Sequence, residues 1–199
     1  MVDPRLESKR LLLRELTLSD VDDLFAILGD EETMRFYPAS KTREQTIGWI
    51  EWNLRSYEQY GFGLWGLVLK ETGEFVGDCG LTMQEVDGEW FVEVGYHVKK
   101  THWRHGLATE AAMACRDHAF DVLGLCRLIA LVRVENVPSA GVARKLGMDV
   151  WKETMRSGLR HFVYAMGPDG RRRSASQVTR AAASPADSPA TKAGQRGAL

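Results

Sequence analysis

Hydrophobic and polar positions change rhythm twice along the chain, and each change marks a change of element. "RLLLREL", at Arg10 to Leu16, alternates weakly and predicts a first strand. Val21, Leu24, Phe25 and Leu28 then fall at helical spacing behind Ser19, which predicts a helix capped by that serine. Residues 30–40 read as a loop. Thr42 with Gln45 forms a capping-box signature ahead of Ile47, Ile50, Leu54 and Tyr57, a second helix. From Gly63 to Val98 three apolar runs are split by "ETGE" and "VDGE". Glycine-bearing turns between such runs signal hairpins, so an antiparallel meander is predicted.

The second change comes at "GLATEAAMACRDHAFDVLG", which places Ala108, Ala112, Cys115, Ala119 and Val122 on one helical face and ends at Gly124 as a C-cap. "CRLIALVRV" then predicts a strand, "AGVARKL" a helix stopped by Gly147, and "MDVWKETM" and "RHFVYAM" a closing strand pair. Strand, helix, strand, helix, strand after a meander implies an α/β fold of the α+β type, a mixed, largely antiparallel sheet with helices on both faces.

Composition narrows this picture. With 199 residues, 44% hydrophobic and 27% charged, the chain suits one globular domain, taken as residues 1–166. No apolar run approaches the roughly 20 residues of a membrane span, and "MVDPRLESKR" lacks a signal peptide's apolar core, so a cytoplasmic protein is expected. Cys79, Cys115 and Cys126 show no CxxC spacing and are read as buried small hydrophobes. The net charge of -1 conceals an excess of four positive charges from Gly167 onward. That stretch is rich in Ala, Ser, Pro and Gly and is expected to be a disordered tail. Its "RRR" is a short patch, and binding to nucleic acid or membrane is not expected.

Candidate chemistry concentrates in "HWRHGLATEA", residues His102 to Ala111. A strand running through a turn into a helix N-terminus exposes unpaired backbone N–H groups at the positive end of the helix dipole, a setting for a phosphate. Arg104 and His105 add charge and donors, and Gly106 permits close approach of the backbone. In "FVEVGYHV", Val92, Val94, Tyr96 and Val98 share one strand face and Phe91, Glu93, Gly95 and His97 the other. A Glu in a sheet covered on both sides is poorly solvated, which raises its pKa toward general-base range. His97, His102 and His105 fit no common zinc spacing and lie among Lys99, Lys100 and Arg104, so no metal site is expected.

"WRHGLA" resembles the acetyl-CoA pyrophosphate loop of the GNAT superfamily of N-acetyltransferases. "SKRLLLREL", "GFGLWGLVLKETGEFVGDCGL", "EVGYHVKKTHWRHGLATEA" and "ENVPSAGVARKLGM" occur in the order and spacing of its Rim-type branch, the ribosomal-protein alanine N-acetyltransferases. Trp103 departs from the usual first position of the loop but is familiar in that branch. The resemblance implies the acyl-CoA N-acyltransferase fold, acetyl-CoA as acyl donor, and transfer to a primary amine. It puts the backbone of Tyr96, His97 and Val98 against the pantetheine arm, and Arg104, His105, Gly106, Leu107, Ala108 and Thr109 around the pyrophosphate. Asn136 and Ser139 then face the cofactor's distal arm and sulfur, with Ser139 a proton donor to the leaving thiolate and Glu93 a water-mediated general base. Asn136 and Ser139 also read as ordinary helix caps around Pro138. Many members carry a Tyr general acid where this chain has Ala143, with Tyr164 a distant substitute.

The acceptor stays open between a protein N-terminal amine, which the resemblance favours, and a polyamine, an amino acid or an antibiotic. Asp30, Glu31 and Glu32 are read as attractors of a cationic amine, and Phe36, Tyr37, Trp49, Trp52 and Trp65 as pocket walls. A non-catalytic acyl-CoA sensor is the alternative of another class. The sequence leaves the oligomeric state open, a homodimer among the options.

Overall fold

A computed structural model describes residues 6–170. The chain runs β1 (Leu6–Glu7), β2 (Leu11–Arg14), α1 (Val21–Leu28), α2 (Arg43–Tyr60), β3 (Leu64–Leu69), β4 (Phe75–Val86), β5 (Glu89–Val98), α3 (Leu107–Asp121), β6 (Leu128–Arg133), α4 (Val137–Lys145), β7 (Asp149–Arg156) and β8 (Leu159–Met166). The tail expected from Gly167 falls within this range only over residues 167–170; the rest lies outside the described residues.

The eight strands form one sheet in the order β1-β2-β3-β4-β5-β6-β8-β7. β5 and β6 run parallel, and the other neighbours pair antiparallel. Adjacent residues divide between two hydrophobic clusters, which is how a pleated sheet is covered on both faces. Leu67 and Val76 pack into the cluster that contains Ala111, Ala112, Cys115 and Ala119 of α3. Val68 and Phe75 pack with Leu24 and Ile27 of α1 and Ile50 of α2.

Local chemistry sets the element ends. α2 starts at the predicted capping box, with Gln45 N–H donating to Thr42 Oγ1 at 3.2 Å and Thr42 N–H to Gln45 Oε1 at 2.9 Å. Ser19 is not the cap of α1: it sits inside a 3-10 turn, and the Asp20 carboxylate takes the Thr17 N–H at 2.8 Å. Arg14 pins Asp20 at 2.6 Å and holds its carboxyl below the usual range against the opposing effect of burial. α3 ends at Asp121, so Val122 leaves the predicted face and is 69% exposed. Cys79 and Cys115 are buried with sulfurs 3.6 Å apart, whereas Cys126 is exposed in the turn before β6.

Candidate active site

The turn between β5 and α3 is built from backbone rather than side chains. Arg104 and Gly106 both occupy the left-handed region, at φ 64° and 80°. Gly106 is the N-cap of α3 and brings no side-chain cap, so the first-turn N–H groups at Leu107, Ala108 and Thr109 have no intrahelical acceptor. Arg104, His105 and Gly106 are exposed, and Leu107 is buried and anchors the turn. Arg10, just before β2, braces the turn, donating from Nη2 to the His105 carbonyl at 3.0 Å and from Nε to Glu110 at 2.7 Å. Ser8 Oγ also donates to Glu110, at 2.7 Å. Trp103 Nε1 donates to the Val98 carbonyl at 2.7 Å and ties the turn to the end of β5. N–H groups without an intrahelical acceptor, with exposed Arg104 beside them, suit an anion.

Beside the turn the sheet splits. The parallel ladder registers at Glu93 and Ile129, and beyond that point Leu131 N–H donates to the Glu93 carboxylate at 3.0 Å. Glu93 thus stands where β5 and β6 part. Burial pushes its pKa up to about 7, against the lowering influence of the Leu131 N–H, Arg156 and His97. Such a carboxyl exchanges its proton readily near neutral pH.

A cavity of about 410 Å³ opens on this face, with Glu93, Gly95, His97, Asn136 and Ser139 in its lining. Phe36, Tyr37, Trp49 and Trp52 form its aromatic wall, and Lys41, Arg133 and Arg156 add positive charge. Trp65 is not a wall residue: it is 1% exposed in the core, edge-on to His118. The acidic residues of the loop are engaged elsewhere, Asp30 with Thr33 at 2.7 Å and Glu32 with Lys100 at 2.6 Å, and the lining includes none of Asp30, Glu31 and Glu32.

The remaining side chains fall into two groups. Asn136 caps α4, accepting from Ser139 N–H at 3.1 Å. Ser139 Oγ meets the Tyr96 hydroxyl at 2.8 Å, and that hydroxyl also lies 3.1 Å from the Ser139 carbonyl, which bridges β5 to α4 across the split. On the opposite face of β5, His97 is part of the cavity lining, its ring centroid 5.2 Å from that of Tyr37 and 6.1 Å from that of Trp49. Its Nδ1 lies 2.7 Å from Asp78 Oδ1 of β4, while Trp49 Nε1 of α2 donates to Asp78 Oδ2 at 3.2 Å. Tyr164 is 1% exposed in the core, and its hydroxyl has no hydrogen-bond partner among the described residues.

Sequence reasoning put Glu93, Gly95 and His97 on one strand face, and the structure does the same. It missed Asp78, the Trp49 indole, the Tyr96 hydroxyl and the Arg10–Glu110 brace, all of which depend on cross-strand register or on contacts some 30 to 100 residues apart.

Residues 10–149 match the family described as the acetyltransferase (GNAT) domain. The chain belongs to the GNAT acetyltransferase family. It is 37% identical over 153 residues to the uncharacterized protein YkkB of Bacillus subtilis, covering 76% of this chain and 88% of that protein. It is 31% identical over 166 residues to the uncharacterized N-acetyltransferase YoaA of the same organism, covering 82% and 90%. An acetyltransferase from Agrobacterium tumefaciens superposes with a TM-score of 0.73 at 29% identity, over 83% of this chain and 95% of that one. RimL, a ribosomal L7/L12 alpha-N-protein acetyltransferase solved in complex with coenzyme A, shares the fold at a TM-score of 0.67 and 19% identity, over 82% and 97%.

The GNAT protein is accordingly an acetyl-CoA-dependent acetyltransferase. Its own residues fit such a donor: an open N–H cradle of the kind that takes a pyrophosphate, next to a sheet split whose released N–H is held by a side chain. Among the described residues no helix is long and apolar enough to cross a membrane, and no group of three or more His, Cys, Asp and Glu could hold a metal ion.

Proposed function

We propose that this acetyltransferase moves the acetyl group of acetyl-CoA to a primary amine seated in the cavity beside Glu93, which draws a proton from the amine through water. The observation that carries this reading is a carboxyl with a pKa raised to about 7 at the point where β5 and β6 part, in the lining of a cavity open to an acceptor. An amine attacks a thioester only when neutral, so a base ionised near pH 7 beside the acceptor is what the reaction needs.

On the donor side, the N–H groups from Arg104 to Thr109 hold the pyrophosphate, His105 flanks it, and the β5 backbone at Tyr96, His97 and Val98 lies along the pantetheine arm. Acetyl-CoA supplies an activated acetyl group, and the chain supplies position and proton transfer. Ser139, hydrogen-bonded to Tyr96, protonates the leaving thiolate, and this pair substitutes for the Tyr that Ala143 replaces. Asn136 holds the α4 N-terminus that presents Ser139.

A protein N-terminal amine is the favoured acceptor, on the resemblance to the Rim-type branch. The cavity's charge supports an acceptor with one ammonium over a polyamine or aminoglycoside, because Lys41, Arg133 and Arg156 repel added positive charge. A small monoamine is the second reading, favoured by the aromatic wall of Phe36, Tyr37, Trp49 and Trp52. A free-thiol release assay with acetyl-CoA tests this over peptides with unblocked N-termini, monoamines and polyamines. Release with peptides or monoamines exceeding that with spermidine supports the reading, and a preference for spermidine overturns the acceptor assignment.

A further inference from the structure

Asp78, His97 and Trp49 come from three different elements, β4, β5 and α2, and together fix one imidazole ring. Asp78 is fully buried and His97 is 7% exposed. A carboxylate accepts hydrogen bonds only, so the contact at 2.7 Å places a proton on Nδ1, and in the neutral ring Nε2 is then the lone-pair acceptor. Nε2 is buried and has no hydrogen-bond partner among the described residues, yet the residue lines the cavity. A histidine that serves only the core satisfies both nitrogens. Here one is held and the other is left as an acceptor for a donor that must come from the cavity.

We propose that His97 Nε2 receives the ammonium group of the acceptor and takes its first proton, so that the site holds two proton acceptors, His97 and Glu93, on either side of Gly95. The proposal rests on the acetyl-transfer reading above. An ammonium nitrogen that becomes an amide loses two protons. The first goes to Nε2 and frees the nitrogen lone pair. The C–N bond then forms as the C–S bond breaks, and the second proton leaves the nitrogen through water to Glu93. The thiolate takes one proton through the Ser139 hydroxyl, which regains it through water from the imidazolium, and Glu93 returns the other to solvent, so one proton is released per thiol formed. Glu93 and His97 stand four positions apart on one strand face, about 13 Å between Cα atoms at the usual rise, with Gly95 between them carrying no side chain. A nitrogen above Gly95 that touches one group directly reaches the other through water. Asp78 keeps the ring in the required tautomer and balances the imidazolium charge, the division of labour that an acid–histidine pair provides in acyl transfer.

The test uses two amines of similar size, ethylamine, which is protonated at pH 7, and trifluoroethylamine, which is already neutral there. His97→Gln should lose about 100-fold in kcat/KM with ethylamine, the usual worth of a positioned proton acceptor, and lose little with trifluoroethylamine. Acetyl-CoA affinity measured by calorimetry should stay unchanged. Asp78→Asn, nearly the same shape, should show the same selectivity and carries the test if the His97 variant does not fold. Equal losses with both amines, or none with either, overturn the proposal. Histidine 15N spectra give a readout without turnover: a protonated Nδ1 and bare Nε2 for His97 are expected, and an Nε2–H tautomer overturns the proposal whatever the activity. Wild-type protein that releases thiol with no amine overturns the acetyl-transfer reading itself.

Discussion

Replacing Glu93 by Gln should change activity and stability in opposite directions. Gln keeps an oxygen for the Leu131 N–H, so the split between β5 and β6 retains its side-chain partner. The base is lost. A positioned general base contributes about 10²- to 10⁴-fold, so kcat should fall by at least about two decades, roughly 3 kcal/mol of barrier. The wild-type rate should rise with pH through an apparent pKa near 7 as Glu93 ionises, and this dependence should disappear from the variant. Stability follows from the same shift. A carboxyl raised from 4.5 to about 7 binds its proton more tightly in the folded chain, so the stability that Glu93 contributes is fully present below pH 4.5 and is lost as the pH rises to about 7. At 1.36 kcal/mol per unit the full loss is on the order of 3 kcal/mol. Glu93→Gln does not ionise, so the variant should match the wild type at pH 4 and melt higher at pH 8. Steady-state thiol release across pH, with thermal melts in the same buffers, measures both. A variant as active as the wild type removes Glu93 from the chemistry, and a variant that melts lower at pH 8 refutes the desolvation argument.

Three further substitutions probe the rest of the site. Gly106→Glu puts a side chain at φ 80°, which costs about 1–2 kcal/mol, and adds negative charge to an anion cradle; acetyl-CoA affinity by calorimetry should drop at least about tenfold, and unaltered affinity would refute the cradle. Ser139→Ala and Tyr96→Phe each break the 2.8 Å hydroxyl contact, so each should lower kcat with little change in acetyl-CoA KM. The double variant should be little worse than either single one, and fully additive losses would show that the two hydroxyls act independently. Arg10→Ala removes the bonds to the His105 carbonyl and Glu110; it should raise the KM for acetyl-CoA while leaving kcat near wild type, and an unchanged KM would dismiss the brace.

Where a local signal specifies an element, the sequence carries it. The Thr42–Gln45 box, the glycine turns of the meander and the period-two face holding Glu93, Gly95 and His97 need only neighbouring residues. Ser19 misleads because it lies within a 3-10 turn, Leu18–Asp20, which Asp20 closes by taking the Thr17 N–H with Arg14 behind it, so α1 starts one residue later. Val122 misled because an extra half-turn of helix was assumed before Gly124. The acceptor side was the least legible part. Asp78 reads as one polar residue in an apolar strand, and only the register Asp78↔His97 reveals what it does. The acidic cluster at residues 30–32 reads as the charge of the site, yet Asp30 is held by Thr33 and Glu32 by Lys100, none of the three lines the cavity, and the cavity's own charge is positive.

Everything proposed for the site depends on the cavity beside Glu93 accepting an amine for acetylation. Mass spectrometry of products formed from acetyl-CoA and the amine panel, with thiol release followed in parallel, tests it most directly. One acetylated amine per thiol released is expected from the wild-type protein, with a loss of at least about a hundredfold in Glu93→Gln. Amide formation at the same rate in both proteins would contradict it.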